Sequence, residues 1–252
     1  YLEFDDSKGI ELHHQGDLPA RSGMGSSSSF SVGLINALTC LKGETLTKKG
    51  LADNALYLEQ EILKENVGSQ DQVAAAYGGF NLINFNIGGE IKVTPFAKLD
   101  SHIVQDLQKR IMLFYIGSGR FAPKIASDII TNILRTGDSL TRLTELVLEA
   151  VNVLKDGELD DFGKLLNEGW LLKKSLSNQT SNGNIDAIYS AAIESGALGG
   201  KLMGAGGTGF MFFYVPLEYQ QKVKDTLNNF TYIPFNFEDT GSYILYDGIN
   251  KK

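Results

Sequence analysis

Apolar residues recur along the chain at two spacings, and the changes from one to the other sketch an order of elements. Phe30, Leu34, Leu38 and Leu41 share one helical face, which predicts a helix from about Ser27 to Leu41. Leu51, Ala55, Leu58 and Ile62 predict a second helix, to about Glu65. A polar loop from Asn66 then runs into a short helix of small residues that stops at Gly78-Gly79. Phe80–Phe85 and Ile91–Pro95 read as a hairpin around Gly88-Gly89, and Ile10–His14 as a strand. A domain boundary is expected near Leu99–Gln108, giving domains 1–104 and 105–252.

The second half opens with an apolar strand, Ile111–Ile116, and a turn, Gly117-Ser-Gly-Arg120. Helices are expected over about Ala122–Leu134, Ser139–Leu154, Leu159–Ser177, Asn184–Ser195 and Leu217–Asn228. Strands are expected at Phe210–Val215, Thr231–Phe235 and Tyr243–Tyr246. Strands and helices mix without a steady βαβ alternation, so the predicted class is α+β.

Charge and composition narrow the partners. The chain has 252 residues, room for two packed domains, and no apolar run long enough for a membrane span. A net charge of −7 argues against nucleic acid and means that an anionic substrate must be held by local devices. The single cysteine, Cys40, excludes an internal disulfide, and a reducing cytoplasm is the expected compartment. The first residues read as the middle of a protein, so a segment ahead of Tyr1 is expected to be missing.

Two glycine-rich stretches carry the candidate chemistry. Pro19-Ala-Arg-Ser-Gly-Met-Gly-Ser-Ser-Ser-Ser29 feeds directly into the first predicted helix. Glycines admit a ligand close to the backbone, and the first amides of a helix have no partner within it, so this turn suits phosphate. It lacks the Gly-Lys-Ser/Thr of the standard P-loop. The alternative is a serine N-cap after a tight turn. The second stretch, Gly204-Ala-Gly-Gly-Thr-Gly209, fits G-x-G-x-x-G, but an apolar strand follows it where a dinucleotide site needs a helix.

Pro19–Ser29 resembles the glycine–serine motif of the GHMP kinases, with Met24 in place of the usual leucine and serines in place of alanines. Gly68-Ser-Gln-Asp-Gln72, with Gly78 and Gly79 beyond it, resembles the second motif of that family, and Lys201–Phe210 its third, Thr208 standing where glycine is common. The resemblance implies a two-domain fold, the N-terminal domain like ribosomal protein domain 2 and the C-terminal one a ferredoxin-like α/β sandwich. It implies ATP over Pro19, Arg21, Ser22, Gly23, Met24, Gly25, Ser26, Ser27 and Ser28, closed by Gly204, Ala205, Gly206 and Gly207. It further implies Mg²⁺ shared by Ser27 and Glu59, neighbouring Glu61 and a solvated helix face being the alternatives, with Gly78 and Gly79 on the substrate side. Within the family the likeness runs to kinases of the anomeric hydroxyl of sugars, D-glycero-D-manno-heptose 7-phosphate first and fucose or galactose next. A non-catalytic sugar or ATP sensor on the same fold is the other class.

Asp71 is the one residue of the second motif able to take a proton from a substrate hydroxyl; a helix-capping role is the alternative. Arg120, at a predicted helix start, suits either a substrate phosphate or a surface ion pair. His13, His14 and His102 show no metal spacing, and Trp170 and Phe212–Tyr214 read as core. The partners expected are a small sugar phosphate and ATP, with no nucleic acid and no membrane; a homodimer is compatible with the sequence.

Overall fold

The computed structural model describes residues 9–19, 22–97, 101–117, 137–177, 180–204 and 207–248. The expected helix Ala122–Leu134 and residues Arg21, Arg120, Ala205 and Gly206 lie outside them. The chain divides into two compact units, Tyr1–Ala20 with Gly25–Gly78 and Asp239–Lys252, and Arg21–Met24 with Gly79–Glu238. The contact units part at Gly78/Gly79. The reason is that Phe80 and Phe96 of the hairpin pack into a cluster with Leu107, Ile111 and Tyr214.

The first unit is helical among the described residues: α1 (Ser26–Leu41), α2 (Lys48–Leu56), a π-helical turn (Tyr57–Ile62) and α3 (Gln70–Tyr77). Thr47 caps α2, its hydroxyl accepting from the Gly50 amide at 3.0 Å. The buried face of α1 is Ser28, Ser31, Val32, Ile35 and Thr39, while Phe30 and Leu41 are exposed. Ile10–His14 is irregular rather than a strand, and the His14 ring meets Phe30 edge-on at 4.9 Å.

The second unit holds the hairpin β1 (Phe80–Phe85) and β2 (Ile91–Ala97), then α4 (His102–Arg110) and β3 (Ile111–Gly117). After these come α5 (Gly137–Asp156), α6 (Leu159–Leu176), α7 (Gly183–Glu194), β4 (Gly199–Leu202) and β5 (Gly209–Tyr214). A 3₁₀ turn, α8 (Gln220–Thr226) and β6 (Thr231–Ile233) follow. Tyr243–Tyr246, expected as a strand, is irregular.

The sheet runs β4-β5-β3-β6, antiparallel throughout. Met112, Phe114, Met211 and Phe213 face one cluster with Trp170 and α7, while Ile111 and Tyr214 face the other. Both faces are covered, which accounts for the unbroken apolar runs of β3 and β5. No helix among the described residues is long and apolar enough to cross a membrane.

Candidate active site

In the first unit, Gly25 is the N-cap of α1, with φ +68°, and no side chain caps the helix. None of the four serines serves as the cap, so the first-turn amides keep the orientation and partial positive charge that attract an anion. Asp71 stands in the first turn of α3, and a Cβ added to Gly25 would lie 3.3 Å from its Cγ and 3.4 Å from its Oδ2. The glycine is thus needed where the chain turns past the Asp71 carboxyl.

One residue on, α3 does something different. Gln72 is fully buried and its amide donates to Glu59 Oε2. The Ser28 hydroxyl donates to the same oxygen at 3.1 Å. Glu59 sits on the π-helical turn and is only 1% exposed, and among the described residues its Oε1 has no hydrogen-bond partner. π-Turns interrupt a helix at a cost and are frequent at functional sites. A buried carboxyl oxygen left open beside a hydroxyl suits a hard cation whose other ligands are water and phosphate oxygens. The donor set therefore fits Mg²⁺, with one difference from the expected pair: Ser28 reaches Glu59, and Ser27 is exposed on α1.

Gly78 and Gly79 have structural reasons of their own. Gly78 caps α3 at φ +60°, and a side chain there would overlap the Gly241 amide. Lys48 ties the same corner, donating to Tyr77 O at 2.6 Å and Thr240 O at 2.9 Å. The Gly79 amide, in the second unit, donates to Glu238 O at 2.7 Å.

In the second unit, Gly204–Gly209 joins the antiparallel strands β4 and β5, which excludes the dinucleotide reading. Ser22 and Gly23 lie against this loop. A Cβ on Gly23 would come 2.6 Å from Met203 O, and one on Gly204 2.6 Å from the Gly23 Cα. One on Gly209 would overlap the Ser22 carbonyl oxygen. All three glycines have positive φ, so the two motifs, some 180 residues apart in sequence, meet backbone to backbone. The Thr208 hydroxyl donates to Gly117 O at 2.6 Å, which gives this departure from glycine a role in holding the loop to the end of β3. Lys173 of α6 donates to Gly204 O at 2.6 Å. Burial and the charge of Lys201 lower its pKa to about 8. Pro19 is exposed at the start of the first motif, and Trp170 is core as expected. Among the described residues no group of three or more His, Cys, Asp or Glu side chains is placed to hold a metal.

Lys173 was not singled out from sequence, Gln72 was given no role of its own, and Ser28 was expected on the nucleotide rather than on Glu59. Gln72 had a readable signal, since it occupies the inward face of α3 with Val73 and Ala76, where a polar residue needs a partner.

The family described as "GHMP kinases N terminal domain" matches residues 1–79, and "GHMP kinases C terminal" matches residues 148–232. The chain belongs to the GHMP kinase family. Among GHMP kinases and their relatives, the D-glycero-alpha-D-manno-heptose 7-phosphate kinase of Campylobacter jejuni is 34% identical over 209 residues, covering 82% of this chain and 61% of that protein. The bifunctional fucokinase/GDP-fucose pyrophosphorylase of Arabidopsis thaliana is 27% identical, over 82% of this chain and 20% of its own. A crystal structure of a D-glycero-D-manno-heptose 1-phosphate kinase from Bacteroides thetaiotaomicron shares the fold with a TM-score of 0.71 at 27% identity, covering 91% of this chain and 66% of that one. The GHMP kinase chain described here thus spans less than two thirds of these relatives' lengths.

Proposed function

We propose that this GHMP kinase chain transfers the γ-phosphoryl group of ATP to the anomeric hydroxyl of a sugar phosphate, D-glycero-D-manno-heptose 7-phosphate, giving the 1,7-bisphosphate. The observation that carries the reading is the pairing on α3: Asp71 against Gly25 at the α1 N-terminus, and Gln72 on the buried Glu59. The first-turn amides of α1 hold the nucleotide phosphates. The sugar hydroxyl oxygen forms a bond to the γ-phosphorus, the bond to the ADP oxygen breaks, and the hydroxyl proton passes to the Asp71 carboxylate. Mg²⁺, held by Glu59 with Ser27 or Ser28, supplies charge neutralisation to the phosphates when bound. In such transfers positioning and electrostatics dominate, and the base contributes roughly a hundred- to ten-thousandfold.

The names of the heptose phosphate kinases support the sugar, and the fucokinase name marks the competing one. A panel of free and phosphorylated sugars with ATP, assayed on the full-length protein, tests this. The expected result is a phosphorylated heptose turned over far faster than heptose, fucose or galactose. Preference for fucose shifts the substrate within the same chemistry, and no turnover of any sugar favours the sensor reading. Arg120 is the proposed anchor for the substrate's own phosphate: Arg120→Ala raises the KM for the phosphosugar about ten- to a hundredfold, one decade per 1.4 kcal/mol. An equal loss for phosphorylated and free sugar rejects Arg120 as that anchor.

A further inference from the structure

Lys173 lies near the C-terminal end of α6, a position where a methionine or leucine would pack without any desolvation of charge. With Lys201 it lines a cavity of about 280 Å³ walled otherwise by apolar side chains, among them Leu143, Leu146, Phe162, Leu166 and Trp170. A partly buried ammonium beside apolar side chains is costly unless its donors are satisfied. Here two backbone carbonyls accept: Gly204 O at 2.6 Å and Leu202 O at 3.5 Å, the short bond carrying most of the interaction. These carbonyls flank Met203, whose own oxygen is the atom that Gly23 packs against. Gly204, at φ +70°, touches the Gly23 Cα.

We propose that Lys173 is a positioning residue for nucleotide binding: its ammonium fixes the Leu202–Gly204 backbone, and that backbone is the ledge against which Ser22 and Gly23 of the glycine–serine loop rest. The inference rests on the nucleotide reading of that loop. At Gly23, Gly204 and Gly209 the approach is backbone to backbone. With backbone against backbone at these points, the register of one loop on the other depends on what holds the ledge from behind. Lys173 does so with a charged donor, the stronger class of hydrogen bond. Lys173→Arg keeps charged donors on a long flexible stem.

The test compares ATP binding at equilibrium, and the KM values for ATP and for the sugar phosphate, in the full-length wild type, Lys173→Met and Lys173→Arg. Methionine retains the stem and removes the donors. Lys173→Met is expected to bind ATP about tenfold more weakly with the sugar KM within twofold, and Lys173→Arg to recover to within about threefold of wild type, the tenfold loss corresponding to about 1.4 kcal/mol. Wild-type ATP affinity in Lys173→Met, or equal losses for ATP and sugar, overturns the proposal. If Lys173→Met does not fold, Lys173→Gln takes its place, with an expected loss of about threefold and the same overturning result. A wild type that binds no ATP removes the nucleotide reading and this inference together; normal binding in wild type and variant alike removes the inference alone.

Discussion

Ser28 donates its hydroxyl to Glu59 across 3.1 Å beneath the first turn of α1, while Ser27, one residue earlier, faces outward. The two hydroxyls therefore have separable jobs. Ser28→Ala removes one of the two donors to Glu59 Oε2 and leaves Gln72 on it, a loss of about 0.5–1.5 kcal/mol. For a chain of this size the melting temperature then falls by about 2–4 °C per kcal/mol. Ser27→Ala is expected to stay within about 0.5 kcal/mol of wild type, as exposed substitutions do, and to raise the Mg²⁺ concentration giving half-maximal turnover. Thermal melts and a Mg²⁺ titration of both variants check this; a stable Ser28→Ala would show that Glu59 draws nothing from the contact.

Asp71 and Gln72 leave α3 about 100° apart, Asp71 toward Gly25 and Gln72 onto Glu59. Asp71→Asn preserves shape and removes the base, so turnover should fall roughly a hundred- to ten-thousandfold with ATP affinity nearly unchanged. Steady-state kinetics with a nucleotide-binding assay decides it, and unaltered turnover would leave Asp71 a structural residue at the loop.

Much of this arrangement was legible in the sequence because long-period patterns survive folding. The helix after the serines, the hairpin at Gly88-Gly89 and the strands β3 and β5 stand where periodicity and apolar runs put them. What escaped has specific causes. The expected face Leu51–Ala55–Leu58–Ile62 assumes an even helical turn, but the wider π-turn brings Glu59 inward and leaves Ile62 43% exposed. Strand β4 hides behind Gly199 and Gly200, which are glycines because a Cβ would overlap Gly163 O in one case and Phe212 O in the other. Ile10–His14 and Tyr243–Tyr246 look like strands by composition, yet Leu12 is 59% and Leu245 86% exposed. Which serine meets Glu59 depends on the rotation of α1, which its outward Phe30 and Leu41 concealed.

Glycines in this chain should divide sharply on substitution. Gly33 lies within α1 with open space where a Cβ would go, so Gly33→Ala is expected to stabilise the fold by about 0.5–1 kcal/mol through helix propensity. Gly209→Ala forces a methyl into the Ser22 carbonyl at φ +122° and should destabilise by more than about 1 kcal/mol and abolish ATP binding. Chemical denaturation and ATP binding of the two variants provide the comparison; equal behaviour would mean that the loops move apart without consequence.

The Lys173 ammonium gives stability a pH dependence whose sign can be worked out. Burial and Lys201 hold its pKa near 8 in the folded protein, below the ordinary lysine value near 10.4. Below about pH 8 both folded and unfolded chains carry the proton, and the cost of burying the charge is fully present. Between that pH and the ordinary lysine value the unfolded chain binds a proton that the folded one has released, so stability rises with pH. The slope approaches about 1.4 kcal/mol per pH unit for one group. Lys173→Met lacks this contribution. Urea denaturation at pH 7.5 and at pH 10 should therefore show wild type gaining on the variant at the higher pH, while tyrosine and cysteine titrations common to both cancel in the difference. A difference that does not change with pH would mean that the carbonyls of Gly204 and Leu202 hold the proton on Lys173 more strongly than its burial expels it.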